Sequence, residues 1–258
     1  MMRLDLYLAE NGYAKSRTEA KNLITDGAVK ISGKVVTKPS LETEGDAQIE
    51  ITKEASKYVS RGGYKLEGAL KAFDASPSGK LCIDVGASSG GFTDCLLQNG
   101  AAHVIAVDSG TMQLDMSLRC DERVTVRENF NARYMTKSDF EFTPSFAVMD
   151  VSFISATYIV PAIFEVLSQK SDFICLVKPQ FEVGRALLGK GGIVKIEKHR
   201  EMALNKVIEF AKTVGFEYIS YTDSPILGGD GNKEFLVHFK RNGKEIYDEK
   251  NTDNPEQK

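Results

Sequence analysis

Three glycines in the run Cys82-Ile-Asp84-Val-Gly86-Ala-Ser88-Ser-Gly90-Gly91-Phe92 follow an apolar stretch. They let the backbone turn sharply and approach a ligand closely, which a Cβ would prevent. Their spacing is G-x-x-x-G-G, not the G-x-G-x-x-G that cradles dinucleotide pyrophosphates. Asp84 stands just before the first of them, and a carboxylate there suits a cationic ligand better than a pyrophosphate. Asp108 ends the next apolar run, where acids of adenosine-binding proteins accept hydrogen bonds from ribose hydroxyls; alone it reads equally well as a helix cap. Asn129, closing a third run, either reaches an adenine or forms a turn. Asp84, Gly86, Ser88, Gly90, Gly91, Phe92, Asp108 and Asn129 are the expected binding set for an adenosine-type cofactor.

A second constellation carries charge. Asp150 in Val-Met-Asp-Val-Ser-Phe, Lys178 in Cys-Leu-Val-Lys-Pro-Gln-Phe and Glu234 in Asn-Lys-Glu-Phe-Leu fall at the ends of apolar runs, and Lys65 lies on an amphipathic segment ahead of them. Ions are poorly tolerated at buried strand ends unless paired or used. An interlocked Lys-Asp-Lys-Glu set meets that condition, although Glu234 alone reads as a surface acid and Lys65 as an exposed helix residue. The glycine-rich segment Gln180 to Gly192, with Arg185 and Lys190, suits a mobile loop at the substrate mouth.

The elements that must hold these residues alternate. Strand-like runs at 81–86, 103–108, 124–127, 146–151, 173–178, 216–221 and 235–239 are separated by helical spacing near 91, 112–118, 155–167 and 196–213. This βαβ repetition predicts an α/β fold, a doubly wound and mostly parallel Rossmann-like sheet. Ahead of it, Leu4, Leu6 and Leu8 begin a short helix, Ser16-Arg-Thr-Glu19 forms a capping box for a second, and Ser32-Gly33 turns a hairpin. The expected domains are a small α+β unit at 1–52, a linker at 53–63, the sheet domain at 64–240 and a polar, disordered tail at 241–258. Residues 11–38 hold six basic residues, among them Lys15, Arg17, Lys21 and Lys34, against two acids.

The run S-R-T-E-A-K-N-L-I-T-D-G-A-V-K-I-S-G-K-V-V resembles the S4 RNA-binding domain. D-V-G-A-S-S-G-G-F-T-D and V-K-P-Q-F-E closely resemble the FtsJ-like 2'-O-methyltransferases. With Val59-Ser-Arg-Gly-Gly-Tyr-Lys65 and D-V-S-F-I-S between them, the arrangement looks like the TlyA (haemolysin A) family over residues 1 to about 240. The resemblance implies S-adenosylmethionine as cofactor, an ammonium and a sulfonium matching Asp84. It implies transfer of a methyl group to a cytidine ribose 2'-hydroxyl in ribosomal RNA, in the large subunit with the small subunit as a further candidate. Lys65, Asp150, Lys178 and Glu234 would be the catalytic set, and Arg3, Lys15, Arg17, Lys21 and Lys34 would meet RNA. A neutral Lys178 would serve as general base; a protonated one would position the oxygen and stabilise its charge.

Composition sets the outer bounds. With 258 residues, 42% hydrophobic and 27% charged, the chain can bury a full α/β core plus one small module. A net charge of −3 argues against general nucleic-acid affinity, so any RNA contact is local. The four cysteines and three histidines form no ligand pattern, so neither metal nor disulfides are expected. The run Phe146 to Phe164 is interrupted by Asp150 and Pro161, and no secretory signal opens the sequence, so no membrane and a cytoplasmic location are expected. The rival functions are a pore-forming haemolysin, an inert RNA-binding assembly factor, and a nicotinamide oxidoreductase, the last disfavoured by the glycine spacing.

Overall fold

The computed structural model describes residues 2–14, 17–25, 27–44, 47–52, 57–228 and 231–243, with the side chains of residues 18, 19 and 22 outside that description. The chain divides into two compact units, Met1–Gly63 and Tyr64–Lys258. The first contains β1 (Met2–Arg3), α1 (Leu4–Glu10), α2 (Arg17–Thr25), β2 (Val29–Ile31), β3 (Lys34–Val35), β4 (Glu42–Thr43) and β5 (Ile49–Ile51). β1 pairs with β4, and β2 lies between β3 and β5, all antiparallel. The β2–β3 hairpin turns at Ser32 and Gly33, both at positive φ, as a two-residue turn matched to strand twist requires. Leu4 and Leu8 of α1 meet Ala20 and Ile24 of α2 in a small fully buried core. The capping box expected at Ser16 and Glu19 lies outside the described residues.

In the second unit, α3 (Gly62–Phe73) spans the boundary, so helix begins two residues before the expected Tyr64 and inside the expected linker. Then follow β6 (Leu81–Val85), α4 (Gly91–Gln98), β7 (His103–Val107), α5 (Met116–Arg119), β8 (Val124–Arg127), β9 (Phe146–Met149), α6 (Val160–Val166), β10 (Lys170–Val177), α7 (Pro179–Glu182), α8 (Glu197–Val214), β11 (Glu217–Asp223) and β12 (Phe235–Asn242). The seven strands run in the order β11-β12-β10-β9-β6-β7-β8. β6 to β10 are mutually parallel where they pair, and β12 is antiparallel to both β10 and β11. The sheet is thus mainly parallel, with β12, one place in from the edge, running against the others.

Side-chain alternation separates the two faces of the sheet. Ile83, Val85, Ala147, Met149, Phe173 and Cys175 face the layer of α6 and α8, where Ile163, Val207 and Ala211 complete the larger core. Asp84 faces the other way, toward Thr93 of α4. After β8 the chain returns to the opposite side of β6 to form β9, so strand order reverses between β6 and β9. Open α/β sheets bind ligands in the crevice beyond such a reversal.

The polar tail expected from Arg241 begins later: Arg241 and Asn242 are the last rungs of β12, opposite Ser171 and Lys170. Arg241 also donates to the carbonyls of Phe164 and Leu167 at 2.7 and 2.6 Å and stacks 4.2 Å over the Phe164 ring. These bonds answer carbonyls left open at the end of α6. The run looks polar in sequence because its partners are backbone oxygens. Hydrogen bonds to a charged group contribute about 1.5–3 kcal/mol each. A chain ending at Lys240 is therefore expected to melt several degrees below one ending at Gly243, at roughly 2–4 °C per kcal/mol; equal thermal midpoints would return Arg241 and Asn242 to the tail.

Candidate active site

The turn leaving β6 is shaped by its glycines. Gly86 sits at φ +85, and a Cβ there would lie 2.4 Å from the backbone oxygen of Asp150. Gly90, at φ +98, caps α4 against Leu118, whose Cδ1 would meet a Cβ at 2.3 Å. Ser88 between them also has positive φ. Its amide donates to Asp108 Oδ2 at 2.8 Å, and the Gly110 amide donates to Oδ1 at 2.7 Å, so Asp108 holds the loops after β6 and β7 together. Each oxygen keeps a second lone pair for a ligand hydroxyl.

Asp84 is fully buried. Thr93 Oγ1 donates to its Oδ2 at 2.6 Å, while Oδ1 is buried with no hydrogen-bond partner among the described residues. Burial pushes this carboxyl up to about 7; the Thr93 hydrogen bond opposes the shift, and the nearby Asp150 and Asp108 charges add to it.

Beyond the turn lies a cleft of about 360 Å³, lined by Gly86, Ser88, Asp108, Asp150 and residues of three flanking loops. Ligand pockets span roughly 300–1,000 Å³. Gly90, Gly91 and Phe92 shape the cradle without lining the cleft: the last two are buried in the first turn of α4. Asn129 is exposed in a left-handed turn, its amide bonded to the Gly110 oxygen, and Phe130 and Asn131 line the cleft in its place. Sequence reasoning also missed Glu128. It accepts the amides of Met112, Gln113 and Leu114 and the Arg119 guanidinium, which together hold it down to about 2 with Arg119 the largest cause. The Arg-Glu-Asn-Phe stretch at the end of β8 was its only signal.

The four charged residues form two ion pairs, where the sequence suggested one interlocked set. Lys178 Nζ lies 2.5 Å from Asp150 Oδ1 and donates to Ser152 Oγ at 2.7 Å. The contact with Asp150 is an ion pair without a well-directed hydrogen bond, since Oδ1 has no hydrogen-bond partner among the described residues. Lys65 Nζ of α3 bonds Glu234 Oε2 at 2.6 Å, with the two side chains 10% and 2% exposed. Among the described residues no ion pair joins the two. Asp150 and Ser152 line the cleft; Lys178 lies behind them, and Lys65 and Glu234 do not line it either. Glu234 is held closely: a Cβ on Gly228 would lie 2.4 Å from its Oε1.

A wider groove of about 740 Å³ shares Phe153 and Ile154 with the cleft and reaches Phe181, Arg185 and Lys206. The segment expected as a mobile loop is built from α7 and two short 3-10 turns at Arg185–Leu187 and Lys190–Gly192. Asn232 ties its end, accepting the Val194 amide at 2.9 Å and donating to the Gly192 oxygen at 3.2 Å.

Of the residues expected to meet RNA, Arg3, Arg17, Lys21 and Lys34 are exposed, and Lys15 lies outside the described residues. Arg3 and Arg17 converge on Asp5, whose fully buried carboxylate accepts Arg3 at 3.0 and 3.1 Å and Arg17 at 3.1 Å. These bonds hold Asp5 down to about 2, with Arg3 the largest cause.

Comparison with known proteins agrees with this architecture. Residues 58–241 match the FtsJ-like methyltransferase family and residues 2–49 match the S4 domain. The chain is 45% identical to Hemolysin A of Brachyspira hyodysenteriae, over 92% of this chain and 99% of that protein. It is 40% identical to the 16S/23S rRNA (cytidine-2'-O)-methyltransferase TlyA of Mycobacterium tuberculosis, over 92% and 89%. A solved structure from Streptococcus thermophilus with a provisional hemolysin label is 43% identical, covers 93% of this chain and 88% of its own, and superposes with a TM-score of 0.75. An S-adenosylmethionine dependent methyltransferase from Mesorhizobium loti, 14% identical over 69% of this chain and 98% of its own, shares the fold with a TM-score of 0.50. The chain therefore belongs to the FtsJ-like methyltransferases, in the TlyA group, and carries an S4 domain ahead of the methyltransferase fold.

Proposed function

We propose that this protein transfers a methyl group from S-adenosylmethionine to the 2'-hydroxyl of a cytidine in ribosomal RNA. The observation that carries the reading is Lys178 held against Asp150 and Ser152, two residues that line the cleft beside Gly86 and Ser88. The family and the printed activity of the Mycobacterium tuberculosis relative support it. Cytoplasmic action follows from such a substrate.

The residues present suit the cofactor. Gly86 and Ser88 bring backbone to the wall of the cleft, Asp84 Oδ1 has no hydrogen-bond partner among the described residues, and the Asp108 and Asp150 carboxylates that line the cleft favour a cation. In our assignment Asp84, Gly86 and Ser88 hold the amino-acid end and Asp108 the ribose hydroxyls. The cofactor supplies, when bound, a methyl carbon activated by a sulfonium.

A ribose hydroxyl is a weak nucleophile and loses its proton as it attacks. An ammonium has three donors. Lys178 gives one to Ser152 and turns another toward Asp150, which leaves a third for the incoming hydroxyl oxygen. That bond orients the oxygen and strengthens as negative charge develops on it. Asp150, which lines the cleft, is the proton acceptor we assign; its Oδ1 is buried against the Lys178 ammonium. Lys65 and Glu234 support the site from outside the cleft as a buried pair. We assign residues 1–52 as the RNA-binding module, with Arg3, Arg17, Lys21 and Lys34 as its contacts, residues 53–63 as the join, and 64–242 as the catalytic domain. The donors of Arg3 and Arg17 not given to Asp5 remain for phosphates.

Hemolysin A, the name of one relative, keeps a lytic reading in view. Among the described residues no helix is long and apolar enough to cross a membrane. Mapping ribose methylation in ribosomal RNA from cells with and without this protein separates the readings. A cytidine 2'-O-methyl group lost on deletion supports methyl transfer; an unchanged map together with liposome lysis by the purified chain would replace it. Lys178→Ala is expected to keep cofactor affinity and lose methyl transfer, and unchanged turnover would remove Lys178 from the mechanism.

The raised Asp84 value gives a signed test. The folded-state value exceeds the ordinary one of about 4, so the ligand-free fold gains from Asp84 below pH 4 and loses that gain as pH rises through about 7. Compared with Asp84→Asn, the wild-type chain should become progressively less stable to urea between those limits, whereas a pH-independent difference would refute the buried titration.

A further inference from the structure

Glu182 closes α7 in the same V-K-P-Q-F-E stretch that holds Lys178, and its side chain is only 2% exposed. Its Oε2 accepts the Ser155 hydroxyl at 2.5 Å and the Lys206 ammonium at 3.0 Å, and its Oε1 accepts the Ala156 amide at 2.6 Å. A carboxylate stays ionised out of water only where its charge and lone pairs are answered. Lys206 of α8 answers the charge from a half-exposed position, and the segment after β9 answers the lone pairs.

The 150–156 segment is thereby gripped at two places from one short stretch of chain. Lys178 holds its start through Asp150 and Ser152, and Glu182 holds its end through Ser155 and Ala156. Between the two grips Phe153 sits at φ +66 with 90% of its surface exposed, its ring 5.2 Å from that of Phe181. A left-handed conformation at a bulky residue persists only where its surroundings over-determine it. Phe153 and Ile154 form the wall shared by the cleft and the wider groove, so the path of this segment sets both the Asp150–Lys178 pair and the shape of the substrate mouth.

We propose that Glu182 is a positioning residue for methyl transfer: through Ser155 and Ala156 it fixes the path of residues 150–156, and with it the placement of Asp150 against Lys178. The inference rests on the proposed function and deepens it. A residue that merely stabilises the fold would lower the melting temperature and the folded fraction; a positioning residue lowers turnover in molecules that are folded and bind cofactor normally.

The test uses the full chain with Glu182→Gln, Ser155→Ala and the double variant. The amide introduced by Glu182→Gln would keep the shape but turn an NH2 group toward donors it cannot accept from. Cofactor affinity is measured by calorimetry, alongside single-turnover methylation on ribosomal RNA and amide hydrogen exchange across 150–156. Each single variant is expected to bind S-adenosylmethionine as the wild type does and to lose about 10- to 100-fold in single-turnover rate, the scale of a misplacement near 1 Å. Exchange across 150–156 should quicken, and the double variant should lose no more than Glu182→Gln alone, since both changes open one clamp. Wild-type turnover and exchange in folded Glu182→Gln, losses that only track the folded fraction, or losses that multiply in the double variant would each overturn the proposal. Should the wild type transfer no methyl to RNA, the reaction assignment fails separately, and the exchange measurement alone then decides whether Glu182 holds the segment.

Discussion

Two parallel strands end side by side at the reversal of the sheet, and the chain leaving each must turn within contact distance of the other. The Gly86 backbone presses so closely on the Asp150 carbonyl that a Cβ would lie 2.4 Å from it. That approach brings the glycine turn and the Asp150 carboxylate to one cleft, and the remaining features of the site are arranged around it. Asp84 points from β6 toward α4 because Ile83 and Val85 must face the core, and a carboxylate so placed is dry. Asp108 reaches the same cleft from β7 by tying down the Ser88 and Gly110 amides.

Electrostatics follows from that crowding. Asp84, Asp108 and Asp150 gather in a small volume, and burial and mutual repulsion raise the first of them. A concentration of carboxylates invites a cation. The lysines are distributed unevenly in response: Lys178 meets Asp150 at the cleft, while Lys65 meets Glu234 where water is nearly excluded. Buried ion pairs seldom repay their desolvation against apolar replacements of like volume. Two such pairs in one methyltransferase fold are therefore better explained by chemistry than by stability.

The first unit repeats the theme on a smaller scale. The Asp5 side chain is covered by Arg3 and Arg17, two exposed arginines that answer its charge from the surface. Arg3 and Arg17 are in this way held in fixed positions on the surface while keeping donors for another anion.

Periodicity and glycine placement in the sequence were enough to order the strands and the longer helices from Leu81 onward and to mark the turn after β6, because those features depend on local backbone geometry and on which side chains avoid water; the family came from the resemblance of its motifs. That Gly86, Ser88, Asp108 and Asp150 border one cleft was legible for the same reason, since strand ends in an alternating fold converge; Asp84 is buried and does not line it. Partner choice was not legible. One interlocked charge set became two pairs, Asn129 proved to be a turn with Phe130 and Asn131 at the cleft, and Glu128 and Glu182 emerged as anchors of loop amides. Arg241 left the tail for β12 because its partners are the carbonyls of Phe164 and Leu167. Hydrogen bonds to backbone groups far away in the chain leave no residue pattern behind, so only the tertiary structure could decide them.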